Sequence, residues 1–167
     1  MNSMNKHIRH YKDQLQLGHI QKAYRGILKF MNDLRNHLKM AYPDHFISGS
    51  IYAGLMDVSY CTFTSPDLKK RDLKMVILFN HRSISFEAWL CGRNKGFQEK
   101  YWNLIRSKSW TKYQVPDDIT GINAIIKLKL EEQPDFDYPV RLKQKLEKLT
   151  LDFSKDIENW LIIHDSE

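Results

Sequence analysis

Three consecutive β-runs stand between Ser50 and Gly92, in a chain whose other apolar residues recur at helical spacing. The first and third runs have the period of two that is typical of strands, and both faces of the first run are largely apolar. The middle run, Leu73 to Phe79, contains the continuously apolar stretch from Met75 to Phe79, which is typical of a central strand. The links between the runs are short, so the strands are predicted to pair as an antiparallel meander.

Helical spacing predicts two helices before this meander and three after it. Their apolar stripes run from Ile8 to Leu15, from Ile20 to Leu38, from Phe97 to Ile105, from Ile119 to Ile126 and from Leu142 to Leu161. A chain of 167 residues is long enough for one core and short for two. The expected fold class is α+β, a three-stranded antiparallel meander flanked by two N-terminal helices and three C-terminal helices. We expect a single domain over residues 1–167.

Hydropathy and cysteine usage predict a cytoplasmic protein. No apolar run approaches the ~18 residues of a membrane span, and the polar N-terminus has no apolar leader core. The two cysteines, Cys61 and Cys91, are expected to be reduced thiols that fill the interior of the sheet.

The net charge of +6 is unevenly distributed along the chain. Residues 1–116 carry a net charge of +11, and residues 117–167 carry −5. A basic body attracts polyanions, so an anionic small molecule or a nucleic acid is a possible partner. Solvated helix faces of mixed sign would give the same composition.

Several common chemistries lack their sequence signatures. The seven glycines are scattered and form neither a phosphate-binding loop nor a dinucleotide fingerprint. There is no Cys-x-x-Cys or His-x-x-x-His pair for zinc and no Gly-x-Ser-x-Gly elbow. No cofactor and no metal ion are therefore expected.

Two carboxylates within the β-runs are weak catalytic candidates. Asp57 lies in the first run and Glu87 in the third. Buried strand carboxylates are costly unless they are paired, and paired carboxylates can hold Mg²⁺ or transfer protons. A metal-dependent enzyme acting on nucleic acid is therefore one hypothesis. Nucleases of the restriction-enzyme type carry a Glu-x-Lys motif on such a strand, but here Glu87 is followed by Ala88 and Trp89, so the lysine is missing. The alternative is a structural Asp57 paired with an arginine or a lysine.

The corner from Gly92 to Gln98, where the third run meets a helix, is the leading candidate binding site. Helix N-termini favour anions, and an arginine can clamp a carboxylate or phosphate through two hydrogen bonds. Nearby aromatic rings can stack on a base or a sugar. An ordinary solvated corner remains the alternative. The predicted ligand-binding residues are Trp89, Arg93, Asn94, Lys95, Gln98 and Tyr101.

Several short motifs carry a family resemblance. They are Gly49-Ser50-Ile51-Tyr52, Asp57, Phe79-Asn80-His81, Phe86-Glu87-Ala88-Trp89-Leu90, Arg93-Asn94 and Gln98-Glu99-Lys100-Tyr101-Trp102. On these motifs the chain resembles an uncharacterised bacterial family of small basic α+β proteins, a domain of unknown function, over most of its length. The resemblance implies a bacterial, cytoplasmic, single-domain protein and implies no activity.

Three functional hypotheses follow, and the sequence leaves open whether the protein is an enzyme. The leading one is a small binding module that recognises an anionic ligand or partner at the corner from Gly92 to Gln98. The second is the enzyme that uses Asp57 and Glu87, which divalent-ion binding would favour. The third is a structural protein that forms a homodimer through its C-terminal helix, which a concentration-dependent mass would favour.

Overall fold

The computed structural model describes residues 3–165 and places five antiparallel strands in one sheet. Each strand pairs with the next one along the chain, so the sheet is a continuous meander with β3 at its centre. The strands are β1 (Phe46–Ile47), β2 (Val58–Thr64), β3 (Leu73–Asn80), β4 (Ser85–Gly92) and β5 (Ile126–Glu131).

Five helices accompany the sheet, and the ends of several are set by single residues. Gly18 ends the first helix with a left-handed φ of 75°, a conformation that glycine adopts without strain. Pro139 occupies the first turn of the last helix, where its missing N–H costs nothing. No helix within residues 3–165 has the length and apolar content needed to cross a membrane. The helices are α1 (Met4–Leu17), α2 (His19–Ala41), α3 (Pro66–Lys70), α4 (Lys95–Ser107) and α5 (Pro139–His164).

The prediction of a helix from Ile119 to Ile126 was wrong, and two long helices rather than three follow β4. Residues 119–125 are irregular apart from a turn at Thr120 and Gly121, where the φ of Gly121 is 73°, and residues 126–131 form β5. The isoleucines imitate helical spacing, but the period from Ile126 onward is two. Ile126 and Leu130 are buried on the core side, and the lysines between them point the other way.

The sheet also differs in detail from the predicted three strands. The first run pairs regularly only from Val58, because Gly54 and Met56 adopt left-handed φ angles and turn the chain before it. The link between β2 and β3 contains the short helix α3, whose first turn is capped when Leu68 N donates to Ser65 Oγ at 3.3 Å. The two-residue strand β1 is too short to give a periodic signal.

One face of the sheet packs against the helices and forms the core. The first hydrophobic cluster joins this face to α2, α3, α4 and α5. The stripe of α5 is buried in it through Leu142, Leu146, Phe153, Ile157 and Leu161. The last helix therefore packs its apolar stripe against the sheet of its own chain.

No helix within residues 3–165 joins the cluster on the opposite face of the sheet. A second, smaller cluster lies there, made of Val76, Leu78 and Cys91 with partly buried Val58, Tyr60 and Trp89. All six residues belong to β2, β3 and β4, and no helical residue of the described chain joins them. We call this surface, the outward side chains of β2 to β5, the open face. The domain is thus a two-layer sandwich with helices on one side only.

Candidate functional site

The corner between β4 and α4 is held together by its own polar side chains. Asn94 caps α4, its Oδ1 accepting a hydrogen bond from Phe97 N at 3.1 Å. Gln98 is buried, and its Oε1 accepts a hydrogen bond from Gly92 N at 2.7 Å. Gln98 Nε2 has no hydrogen-bond acceptor among residues 3–165. Two of the six predicted ligand-binding residues therefore form the joint itself, and one of them retains an unused donor.

Gly92→Ala should destabilise the protein, because the corner has no space for a side chain. A Cβ at Gly92 would lie 2.3 Å from Gln98 N and 2.9 Å from Asn94 O, both backbone atoms. We expect a loss of at least about 2 kcal/mol in the free energy of unfolding, measured by urea denaturation. Gly96→Ala, two residues into α4, is the matched control and should be near neutral, since its Cβ meets only Asn94 Oδ1 at 3.4 Å. Equal effects of the two changes would contradict this account of the corner.

The two cations of the corner remain at the surface. Arg93 is mostly exposed, and its Nη1 lies 2.9 Å from Asp72 Oδ1. Arg93 N also donates to Asp72 O at 2.8 Å, one residue pair beyond the register of β3 and β4. Lys95 is exposed in the first turn of α4. Both side chains lie at the edge of the sheet, where Arg93 contacts Asp72 and the ring of Phe97.

The two predicted aromatic residues lie in different layers of the molecule. Tyr101 is 2% exposed within the helical layer. Its hydroxyl donates to Asp165 Oδ2 at 2.9 Å, and burial raises its pKa to about 12. Trp89 lies on the open face. The structure does not bring Trp89 and Tyr101 into one pocket with Arg93.

Asp57 and Glu87 are not brought together either. Asp57 immediately precedes β2 and Glu87 lies in β4, so β3 stands between them. Asp57 Oδ1 accepts a hydrogen bond from Leu55 N at 2.9 Å, and such backbone hydrogen bonds lower its pKa. Its partners are thus N–H groups of its own turn, not the arginine or lysine expected. No cluster of three metal-ligating side chains occurs within residues 3–165.

The turn that ends at Asp57 is tied down by hydrogen bonds from three other elements. Tyr24 Oη and Ser59 Oγ both donate to Ala53 O, at 3.2 and 2.5 Å, and His81 N donates to Asp57 O at 2.9 Å. Ser59 Oγ also lies 2.8 Å from His81 Nε2. Ser59 is fully buried and its hydroxyl proton is directed at a carbonyl, so this pair is a structural tie and not an activated nucleophile.

The tied turn presents a tyrosine to the open face. Tyr52 and Tyr60 exchange two backbone hydrogen bonds of 2.7 and 2.9 Å, so Tyr52 extends the sheet beside β2. Their ring centroids lie 4.9 Å apart at an interplanar angle of 30°. Strand register then continues this row across the face through Leu78, Glu87 and Lys129.

A second row on the open face contains its tryptophan. The register places Thr62, Val76, Trp89 and Lys127 side by side. Lys127 Nζ lies 4.4 Å from the ring centroid of Trp89, a cation–π contact. Trp89 Nε1 donates to Glu87 Oε2 at 2.7 Å, which fixes the indole against the sheet.

The open face is basic. Three lysines point outward on it, Lys74, Lys127 and Lys129, against one carboxylate, Glu87. The carboxylate of Glu87 accepts hydrogen bonds from Trp89 and from Asn80 Nδ2, the latter at 3.4 Å. Lys129 Nζ lies 2.5 Å from Glu132 Oε1, and this hydrogen bond raises the lysine pKa. The surface therefore combines flat aromatic rings with cationic side chains.

The thiols add no chemistry to this surface. Burial raises the pKa of both Cys61 and Cys91 to about 12, so neither forms a thiolate near neutral pH. Both cysteines are free.

Fold and surface together define a small two-layer α+β domain with one uncovered, basic and aromatic sheet face. The chain belongs to the family described as Domain of unknown function (DUF7000), whose model matches residues 4–161. This confirms the family resemblance seen in the sequence. Comparison with curated proteins and with solved structures finds no match.

Sequence reasoning missed most of the open face. Trp89 was a predicted site residue, but Tyr52, Tyr60, Lys74, Lys127 and Lys129 were not. Two sequence patterns could have revealed these residues. Both sides of the first β-run are apolar, and Lys127 and Lys129 recur with period two within residues 126–131. Because a helix was predicted up to Ile126, the following Lys127 and Lys129 were not assigned to a strand.

Proposed function

We propose that this protein is a non-enzymatic binding module that takes single-stranded nucleic acid on its open face. The observation that carries the proposal is the pairing of partly exposed aromatic rings with lysines on a sheet face that no helix of the described chain covers. Such platforms bind single strands by stacking bases on rings while cations contact the phosphates.

The positions of the rings favour separate stacking sites. Tyr60 lies on β2 and Trp89 on β4, with β3 between them, so they are about 10 Å apart across the strands. Tyr52 enlarges the first site by its contact with Tyr60. A duplex keeps its bases stacked on one another, so this arrangement suits unpaired bases.

The charges supply attraction that does not depend on base sequence. Lys127 stands at the end of the tryptophan row and Lys129 at the end of the tyrosine row. Lys74 lies beside Cys91 at the end of the sheet nearest Arg93. A strand lying on the rings would therefore meet cations along its backbone.

The predicted anion site near Arg93 fits at one end of this surface. Its support is the exposure of Arg93 and Lys95 beside the start of α4. We propose that a phosphate of the bound strand contacts Arg93. Nothing in the geometry supports the alternative metal-dependent enzyme, because β3 separates Asp57 from Glu87. A bacterial origin and a cytoplasmic location remain predictions.

Salt-dependent binding tests the proposal. We expect labelled oligouridylate or oligothymidylate of about 12 nucleotides to bind, with fluorescence anisotropy as the measurement. For about three phosphate contacts, the logarithm of the affinity should fall with the logarithm of salt at a slope of about −2. The two oligonucleotides distinguish RNA from DNA as the preferred strand.

Matched lysine variants separate a site from diffuse charge. Replacing Lys74, Lys127 and Lys129 together with alanine should abolish most of the salt dependence. The control replaces three exposed helical lysines, Lys22, Lys39 and Lys155, with alanine. Arg93→Ala should also weaken binding more than Lys22→Ala or Lys39→Ala alone. Equal losses from the two triple variants would contradict the proposed site.

A further inference from the structure

A second surface, on the helical layer, is an apolar groove. It has a volume of about 520 Å³ and lies between α2, the hairpin that joins β3 to β4, and the start of α5. Its walls include Ala23, Gly26, Phe30, Phe79 and Phe136. The volume lies within the range of binding clefts.

The groove is open because α2 has small residues on that side. A Cβ added at Gly26 would meet no atom within 4 Å, and the φ of Gly26 is not left-handed. Glycine inside a helix lowers its stability relative to alanine. Neither packing nor backbone conformation within the chain requires glycine here, and its missing side chain leaves this part of the groove open.

The rim of the groove exposes large apolar side chains. Ile84, at the end of the β3–β4 hairpin, is 51% exposed and has a left-handed φ of 52°. This conformation is unfavourable for a β-branched residue. Tyr138 and Val140, next to the groove residue Pro139, are also exposed. Contiguous exposed apolar surface of this kind marks an interaction site.

The helix α1 offers a matching apolar face. None of its residues is buried, and it contacts α2 near their shared turn. Met4, Ile8 and Tyr11 are exposed and recur at steps of four and three, so they form one stripe along the helix. An amphipathic helix with its stripe in water is stabilised by packing that stripe elsewhere.

The groove of the same chain lies on a different side of α2 from α1. Where α1 meets α2, it lies beside Ile20 and Tyr24. The groove residues of α2, Ala23, Gly26 and Phe30, are centred roughly 105° away around the helix, at the ~100° that each residue turns. Because α1 and the groove lie on different sides of α2, the stripe of one copy is better placed to enter the groove of a second copy.

The charges of the two surfaces are complementary. Helix α1 carries Lys6, Arg9 and Lys12 against a single carboxylate, and these three cations form no ion pair within residues 3–165. The segment 131–137, which supplies Phe136 to the groove, carries four carboxylates and no cation. Two of them, Asp135 and Asp137, form no ion pair with cations of the described chain.

We propose that two copies of this chain form a homodimer by exchanging α1, each copy laying its stripe in the groove of the other. The contact is isologous, so both stripes and both grooves are used and the assembly closes at two copies. The groove lies on the helical layer, so both open faces remain available. This inference does not rest on the proposed nucleic-acid binding.

Sedimentation velocity of the full chain tests the exchange. The mass should rise with concentration from 19.9 kDa towards twice that value. Ile8→Glu places a charge in the stripe at a residue that is 52% exposed, so the fold should be unaffected. Gly26→Leu fills the groove and improves the helix. Each change should raise the dimer dissociation constant at least about tenfold, the effect of losing one well-buried apolar contact.

A control and a mixing experiment make the test specific. Met40→Glu lies on α2 outside the groove at 85% exposure and should leave the dissociation constant unchanged. An equimolar mixture of Ile8→Glu and Gly26→Leu chains should dimerise better than either alone, because one intact stripe then meets one intact groove. A dimer insensitive to both changes would overturn the exchange. The protein could instead remain a monomer at every concentration and bind an apolar dye in the groove, with Gly26→Leu abolishing that binding. This result would overturn the exchange and assign the groove to a small ligand.

Discussion

Replacing Tyr60 and Trp89 together with alanine is expected to weaken the binding of a single-stranded oligonucleotide roughly 100- to 1000-fold. Stacking of one base on one aromatic ring contributes about 1–3 kcal/mol, and the two rings lie on different strands of the open face. Each single change should show part of the loss. The measurement is fluorescence anisotropy at fixed salt, because the electrostatic contribution is then held constant.

Tyr138→Ala is the matched control for this pair. Tyr138 is an exposed aromatic residue next to the start of α5, on the helical side of the molecule. Its removal should leave oligonucleotide affinity unchanged. Far-ultraviolet circular dichroism checks that the double variant is folded, since both replaced rings are only partly buried. Equal losses from Tyr138→Ala and Trp89→Ala would refute stacking on the open face.

Phe153→Ala is expected to cost about 3–5 kcal/mol of the free energy of unfolding, as truncations of buried aromatic residues do. Phe153 is fully buried in the stripe of α5, with its ring centroid 4.9 Å from that of Tyr113. Leu146→Ala, also fully buried, should cost about 2–5 kcal/mol. Urea denaturation in dilute solution measures both.

The control on the same helix is Ile163→Ala. Ile163 is exposed in the last turn of α5, so its truncation should change stability by less than about 0.5 kcal/mol. If Phe153→Ala and Leu146→Ala left the midpoint of unfolding unchanged in a dilute monomer, the stripe of α5 would not be part of the core.

The sequence predicted the centre of this fold well, because strong local signals coincide there. The run Met75 to Phe79 is continuously apolar and lies in the central strand β3. Gly18 and Pro139 mark helix ends by backbone geometry alone. In such places, local preference and tertiary packing require the same conformation.

Periodicity failed where two periods were both compatible with a short segment. From Ile119 to Ile126 the apolar spacing suits a helix, but the following Lys127 and Lys129 belong to a strand. Pairing with β4 decided the outcome, through Leu90 with Ile126 and Trp89 with Lys127. A sequence does not display that pairing, so an edge strand after a long irregular link is hard to predict.

The candidate site depends on residues far apart in the chain, which is why only part of it was predicted. Tyr52, Trp89 and Lys127 come to lie on one face of the sheet through the register of its strands. The corner from Gly92 to Gln98 is contiguous and therefore visible in the sequence. There, however, Gln98 points into the interior, and Tyr101 belongs to the helical layer.

The indole N–H signals of the four tryptophans test the central claim most directly. Trp89 lies on the open face, whereas Trp102, Trp110 and Trp160 pack against the core on the helical side. In a titration of ¹⁵N-labelled protein with single-stranded oligonucleotide, followed by NMR, the Trp89 signal should shift together with the amides of β2, β3 and β4. The other three indoles should remain unchanged. A titration that shifts those three, or that leaves Trp89 in place while the oligonucleotide binds, would contradict binding on the open face.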